Sequence, residues 1–351
     1  MLFWLIPVLA LGGARLIKQA SVHAVIRGLS AMGNLTVAVL GAAEYAGNLG
    51  KKGTASDVTL YNLKKDENTV TFIEPTRYPE RLAPLFYSVA IAEKTIVVVN
   101  ELNSTLGECL VMLQCAGVTS GYFILRNYIP QEKITQLIKG TSLEKYEFIE
   151  DNPAKLKELC LAKAAQKPNC EATSTTGTVP VDHAFSVKGV GTVILGLVAK
   201  GSIKKHDTLK ILPGTKTTQI RSIQKHDDEF DTATKGDRVG LALKNVEAKD
   251  VERGTVLTTD PAVKTSKTLQ THATLVKYWP TPLKAGMVLH LGHWMHFLNC
   301  NVEAVTDGGD WRKPTLTLAL EKEIVHYPGD QAVLAYLEGG KLRVAGTVTL
   351  P

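Results

Sequence analysis

The sequence predicts an α/β domain with a mostly parallel sheet, followed by two β-barrels. Three observations lead there. Between Leu35 and about Lys163, apolar β-rich runs alternate with stretches of helical period. Beyond Thr178 no long helical pattern survives, and short strands recur between Gly and Asp turns. Two polar stretches, 166–178 and 259–267, read as linkers. At 351 residues the chain is long enough for two or three domains with separate cores. The expected division is an extension or misassigned start at 1–31, the α/β domain at 32–165, and barrels at 179–262 and 268–351.

The chain opens on "MLFWLIPVLALGG", whose apolar run from Leu2 to Leu11 is too short to span a bilayer. No basic segment precedes it, as one would in a secretory signal, so an extension or misplaced start is the favoured reading of residues 1–31 and a membrane anchor the other. A second methionine, Met32, stands directly before "GNLTVAVLG", where organised sequence begins. The runs "LTVAVL", "TIVVVNE" and "GYFILRN" are near-continuous, as strands buried on both faces should be. "DVTLYNL" and "NTVTFIE" flank the polar turn "KKDE" and read as a hairpin. Helices are expected at Pro79–Glu93, Leu106–Ala116 and Asp151–Lys163. The last has an Asp/Asn cap, an early proline and leucines three and four apart. "GTVILGLVAKG", "DTLKILPG", "TQIRSIQKHD" and "GDRVGLALKN" supply strands of the first barrel, and the chain from Thr268 is strand-rich again.

Hydrophobic content of 44% and charged content of 21% are ordinary for a soluble globular protein. Cys109, Cys115, Cys160, Cys170 and Cys300 are scattered, with no C-x-x-C, and read as reduced thiols rather than a disulfide framework or a zinc site. The net charge is +6, and its placement is uneven. Lys188, Lys200, Lys204, Lys205, Lys210, Lys216, Arg221 and Lys225 fall in one segment whose only acid is Asp207. The basic excess of the whole chain lies there, and a phosphate backbone is its natural partner; a solvated lysine face is the other reading. "HLGHWMH" invites a metal reading, but on one strand His290 and His296 would share a face while His293 points away, and no carboxylate or cysteine stands nearby at useful spacing. No metal site is expected.

The stretch "GAAEYAGNLGKKG", Gly41 to Gly53, follows its strand as a phosphate-binding loop does. Such a loop needs G-x-x-x-x-G-K-[ST], since glycines let amides curl round the phosphates, lysine reaches the terminal ones and the hydroxyl holds magnesium. No register through Gly41, Gly47 or Gly50 fits. The one Gly-Lys pair, Gly50-Lys51, is followed by Lys52.

"VDHAFSVKGVGTVILGLVAKGSIKKHDTLKILP" and "IRSIQKHDDEFDTATKGDRVGLALKNVEAKDVERGTVL" strongly resemble the second domain of translational GTPases. "DHAF…KGVGTV" and "RSIQ.HD" look most like the selenocysteine-specific elongation factor; elongation factor Tu itself usually has Glu-Asp where this chain has Asp182-His183. "VHYPGDQAVL" fits the third domain of the same family. The resemblance covers about residues 33–351 and is weakest in the first domain. It implies a GTPase-like α/β domain before two barrels. It also implies an Asp-x-x-Gly after "NTVTFIE" and an Asn-Lys-x-Asp after "GYFIL"; this chain has Glu74-Pro75-Thr76-Arg77 and "RNYIP". Three nucleotide sites have lost their working residues together, while the order of strands and helices is expected to persist. Gly41, Gly47, Gly50 and Lys51 are then a vestigial loop, and neither GTP nor magnesium is expected as a cofactor.

The resemblance also assigns Asp182, His183 and Arg238 to the pocket for the aminoacyl end of a tRNA, where a cationic group suits a negative ligand. A turn cap and packing residues are the alternative. The expected protein is a cytoplasmic, translation-factor-like binder of tRNA or other structured RNA, with the ribosome or a translation factor as a further partner, no membrane association and no catalytic residues of its own. Two alternatives stand: an active GTP-dependent factor with an atypical loop, and a protein-interaction module that mimics a GTPase. The family's further domain after the second barrel has no counterpart before Pro351, which puts full selenocysteine delivery in doubt.

Overall fold

The structure, a computed structural model, describes residues 33–166, 175–226, 228–338 and 340–351. The expected N-terminal extension, Cys170 and most of the first linker lie outside the described residues.

The first domain is a seven-stranded sheet. Its strands are β1 (Gly33–Leu40), β2 (Lys51–Ala55), β3 (Val58–Lys65), β4 (Asn68–Pro75), β5 (Lys94–Val99), β6 (Gly121–Leu125) and β7 (Glu147–Ile149). They lie in the order β2-β3-β4-β1-β5-β6-β7. β4, β1, β5, β6 and β7 run parallel, and β2 and β3 add an antiparallel edge. The hairpin around "KKDE" forms as expected, closing at Lys65 opposite Asn68. Helices α1 (Leu82–Ala90), α2 (Ser104–Cys115) and α3 (Gln131–Ile138) pack on one face, and α4 (Pro153–Ala165) on the other. The Asn103 side chain accepts from the Leu106 amide at 2.9 Å to cap α2, and Asn152 accepts from Lys155 at 3.1 Å to cap α4. Helix α3 is a departure from the sequence reading: its eight residues bury only Ile134 and Ile138.

A larger departure follows β1. A phosphate loop normally leads into a helix whose first amides face the ligand. Here the chain makes one 3₁₀ turn, Tyr45–Asn48, and enters β2 directly. Strands and helices otherwise follow in the expected order, but the helix is missing here: Ala42, Tyr45, Ala46 and Leu49 have helical spacing, yet Gly41, Gly47, Gly50 and Gly53 fall among them and disfavour a continuous helix.

The second domain comprises β8 (Gly177–Val187), β9 (Gly191–Leu197), β10 (Lys200–Lys204), β11 (Thr208–Leu212), β12 (Thr217–Lys225), β13 (Asp228–Phe230), β14 (Thr232–Thr234), β15 (Arg238–Lys244) and β16 (Val256–Thr258). Six of these, β8-β16-β11-β12-β15-β9, close on themselves through the β8–β9 pairing. The third domain is a closed barrel in the order β17-β20-β19-β18-β21-β22, from β17 (Lys264–Leu275), β18 (Val288–His293), β19 (His296–Thr306), β20 (Thr315–His326), β21 (Gln331–Ala335) and β22 (Val344–Thr349). β17 begins at Lys264, inside the stretch read as the second linker. Each barrel fills its interior with alternate residues of its strands, such as Ile194, Leu209, Ile220 and Leu241 in the first.

The domains share cores. Val333, Ala335 and Val344 of the third domain join the cluster beneath α1 and α2. The β18–β19 hairpin ends at Trp294-Met295, so the expected single strand through His290, His293 and His296 is instead two, with His293 opposite His296. Met295 packs with Val58, Leu60, Ile73 and Ile91 of the first domain and Leu197 of the second. Phe86 of α1 lies so close to Gly292 that a Cβ there would stand 2.7 Å from its ring.

Burial of His296, reinforced by the neighbouring His293 and Lys322, pushes its pKa from 6.5 down to about 4. The neutral ring's contribution to stability is full above the free-imidazole pKa and is lost as pH falls toward about 4, about 3 kcal/mol in all. Thermal melts from neutral to acid pH should show this slope, and His296→Asn should flatten it.

Candidate functional site

Two places carry the polar chemistry expected of this chain. The first is the loop after β1. Gly41 has φ +86°, and a Cβ there would meet the Val98 carbonyl oxygen at 2.2 Å, so the glycine is set by the tight exit from β1. The Ala46 amide donates to Glu74 Oε1 at 3.0 Å. The Glu44 and Tyr45 amides and the Tyr61 hydroxyl also favour the charged form of this carboxyl. Burial raises the Glu74 pKa, and these donors oppose the rise without cancelling it. A side-chain carboxyl thus lies among the amides that would cradle a phosphate. Gly47 belongs to the 3₁₀ turn and Gly50 packs on the Asn62 backbone, while Lys51 is an exposed residue of β2. A cleft of about 400 Å³ remains beside Glu74, lined by Ala42, Ala43, Lys52, Thr76, Tyr78 and Thr105 among others.

The stretch "RNYIP" is also engaged internally. Arg126 donates from Nε to Asp151 Oδ2 at 2.7 Å and lies 5.2 Å from the centre of the Tyr45 ring. Tyr45 donates to the other oxygen of Asp151 at 2.7 Å. Asn127 bonds the Asn100 carbonyl at 2.9 Å. The acid that this group holds comes from Asp151, just before α4.

The second place is the junction of the first two domains, and it brings Asp182, His183 and Arg238 together. Asp182 is buried; Arg238 donates to its two oxygens at 2.5 and 3.1 Å, and His183 Nδ1 lies 2.6 Å from Oδ1. Burial alone would raise the Asp182 pKa, but the Arg238 charge and the hydrogen bonds from His183 and Arg238 hold it down at about 2. Adjacent residues on a strand point to opposite faces. A register shift between Val181 and His183 breaks that rule here, so both side chains meet. Arg253 spans the junction: Nε donates to the Asp182 carbonyl at 3.0 Å, and Nη1 to both oxygens of Asp57 at 2.8 Å. His183 Nε2 faces Ser56 Oγ at 3.2 Å. The turn between β2 and β3 thus covers the cluster.

The eight basic residues do not stand alike. Lys225 is nearly buried and paired with Asp237 at 2.6 Å, so it is not free to meet a phosphate. Lys200 lies 3.8 Å over the Tyr327 ring, and Lys216 pairs with Asp250 at 2.7 Å. Arg221 donates to the Val190 carbonyl. Lys188, Lys204 and Lys210 are exposed, Lys205 half-exposed, and none of these four has an ion pair among the described residues.

No group of three or more metal-ligating side chains is assembled among the described residues. His293 instead faces Asp330 at 3.1 Å. Cys109, Cys115, Cys160 and Cys300 are buried free thiols, pushed up to about 12 by burial. No helix among the described residues is long and apolar enough to cross a membrane.

Sequence reasoning missed Glu74, Ser56 and Arg253. Glu74 was legible only as a departure from Asp-x-x-Gly. Ser56 and Arg253 sit in polar turns far apart in sequence, where no periodicity or spacing marks them.

Residues 191–258 match the family model for Elongation factor Tu domain 2. The chain is 33% identical over 317 residues to the uncharacterized protein MJ0325 of Methanocaldococcus jannaschii, covering 90% of this chain and 99% of that protein. It is 44% identical over 82 residues to the selenocysteine-specific elongation factor of the same organism, a match spanning 18% of that factor's length. Among solved structures, the fold is similar to translation elongation factor SelB from Methanococcus maripaludis in complex with the GTP analogue GppNHp. The TM-score is 0.75 at 21% identity, over 92% of this chain and 79% of that one. A bacterial selenocysteine-specific elongation factor superimposes with TM-score 0.72 at 19% identity, over 90% of this chain and 58% of that one.

Proposed function

The chain belongs to the translational GTPase superfamily, and from that premise we propose that it is an elongation-factor-like protein that binds tRNA or another structured RNA in the cytoplasm without turning over GTP. The observation that carries the second half is the Glu74 carboxyl among the loop amides at 44–46. Amides that already face a carboxylate have no reason to prefer a phosphate, and bringing a second anion against a buried one is costly. The short turn after β1 and the Arg126–Asp151–Tyr45 group at the far end support the same reading.

The RNA half rests on the elongation factors that the chain resembles and on the exposed Lys188, Lys204, Lys205 and Lys210 of the first barrel. Phosphate contacts by such lysines give affinity that falls with salt. Asp182, His183 and Arg238 remain the candidates for the aminoacyl end. As the chain stands, Asp182 and Arg238 satisfy each other, and a ligand would have to enter beside the Ser56 turn.

One pair of titrations tests the reading. Nucleotide-stripped protein should show no saturable binding of fluorescent GTP or GDP with magnesium up to millimolar nucleotide; micromolar binding displaced by unlabelled GTP would overturn it. Total tRNA should bind with a salt-dependent affinity, weakened about tenfold or more by the combined Lys204→Glu, Lys205→Glu and Lys210→Glu substitutions. Binding indifferent to both salt and those charges would refute the assignment of the surface.

A further inference from the structure

Ser56, His183 and Asp182 stand in line where the first two domains meet. Ser56 Oγ lies 3.2 Å from His183 Nε2, and His183 Nδ1 lies 2.6 Å from Asp182 Oδ1. We propose that these three residues form a hydrolytic triad that cleaves a carboxylic ester brought to the domain junction, with Ser56 as nucleophile, His183 as general base and Asp182 as the carboxylate that orients it.

The geometry meets the requirements one by one. An imidazole can take a hydroxyl proton at Nε2 only if its own proton is held at Nδ1, and an ionised carboxylate beside Nδ1 holds it there. Asp182 is that carboxylate, kept charged by Arg238. The base and the acid are covered, while Ser56 is exposed, so the nucleophile is the member that a substrate reaches first. Ser56 Oγ has other neighbours: Asp57 Oδ1 at 3.1 Å, the Val58 carbonyl at 3.3 Å, the Val58 amide at 3.5 Å and Arg253 Nη2 at 3.3 Å. Asp57 is the one competing base. It is already bound twice by Arg253, which holds its pKa low despite partial burial, and a weakly basic carboxylate takes a hydroxyl proton poorly near neutral pH. Arg253 also places a positive charge where an oxyanion would develop, since Nη2 has a second hydrogen beyond the one aimed at Ser56.

The chemistry balances with water as the only co-reactant. Ser56 Oγ attacks the ester carbonyl carbon as His183 Nε2 removes the hydroxyl proton, and the carbonyl oxygen becomes an oxyanion beside Arg253. The intermediate collapses, the carbon–oxygen bond to the alcohol breaks, and the alcohol leaves with the proton from Nε2. Water then attacks the acyl-serine with His183 as base again, releasing the acid and restoring the Ser56 hydroxyl.

An exposed nucleophile at a domain junction suits an ester carried on the end of a macromolecule. The substrate class is the aminoacyl ester at the end of an RNA; this identification, unlike the triad itself, rests on the RNA-binding reading.

The test uses the full-length protein and its Ser56→Ala and His183→Gln variants. A biotinylated fluorophosphonate should label Ser56, located by peptide mass spectrometry. Hydrolysis of p-nitrophenyl acetate and of aminoacylated total tRNA should fall by about a thousand-fold or more in either variant. An unlabelled Ser56, or hydrolysis unchanged in Ser56→Ala, overturns the proposal; Ser56 is exposed, so that variant should fold. Binding of tRNA is measured separately on the wild type and Ser56→Ala. RNA bound without Ser56-dependent hydrolysis of either ester leaves the RNA reading standing and removes the triad. Ser56-dependent cleavage of the small ester without RNA binding supports the triad and removes the aminoacyl substrate.

Discussion

Arg343→Ala should destabilise the protein by about 3–5 kcal/mol, because it strands a buried carboxylate. Glu108 of α2 is 3% exposed, and Arg343 is its partner from the third domain. The Arg343 amide and Nε both donate to Oε1, at 2.9 and 3.0 Å, and Nη2 donates to Oε2 at 2.6 Å. Nη2 also reaches the Pro79 carbonyl at 3.0 Å. Truncation removes three side-chain bonds at once and leaves the charge in place. Urea unfolding of the single variants and of Arg343→Met with Glu108→Leu would measure it. The double variant should recover much of the loss, because it leaves no charge unpaired.

Asp182→Asn should cost a similar amount, about 3–5 kcal/mol, for the mirror-image reason. It leaves the Arg238 guanidinium, a tenth exposed, without a countercharge. The wild-type group also predicts a pH window. Its folded pKa of about 2 lies below the ordinary aspartate value of 3.8, so its contribution is full above about pH 4 and is lost as pH falls through about 2. The gap between wild type and variant in acid unfolding should therefore narrow in that range, by about 2 kcal/mol, and widen above it.

Much of this fold was legible because it is written in local pattern. The runs at Leu35–Leu40, Lys94–Val99 and Gly121–Leu125 are apolar without alternation because helices cover both faces of the sheet. The hairpin at Asp66 and the cap at Asn152 follow from turn and cap chemistry that acts over three or four residues. Helix α3 escaped because two isoleucines four apart make too short a pattern. The meeting of Asp182, His183 and Arg238 was legible through resemblance, but the bulge that makes it possible for neighbours on one strand was not. Lys225 looked like every other lysine of its segment until its strand placed it beside Asp237. Ser56 reaches His183 across 127 positions of sequence, and only the packing of two domains joins them.

The hairpin tip at Trp294-Met295 sits where all three domains meet, and it bears on motion. A swinging domain needs a second arrangement within a few kcal/mol of the first. Lifting the first domain off the barrels would bare Met295, unpair Glu108 from Arg343 and part Asp57 from Arg253. Costs of that kind sum to more than about 5 kcal/mol, which leaves fewer than about one molecule in four thousand lifted at any moment. The first domain is then a brace and not a lever: it holds the barrels in one relation, and any partner of this protein meets a single shape.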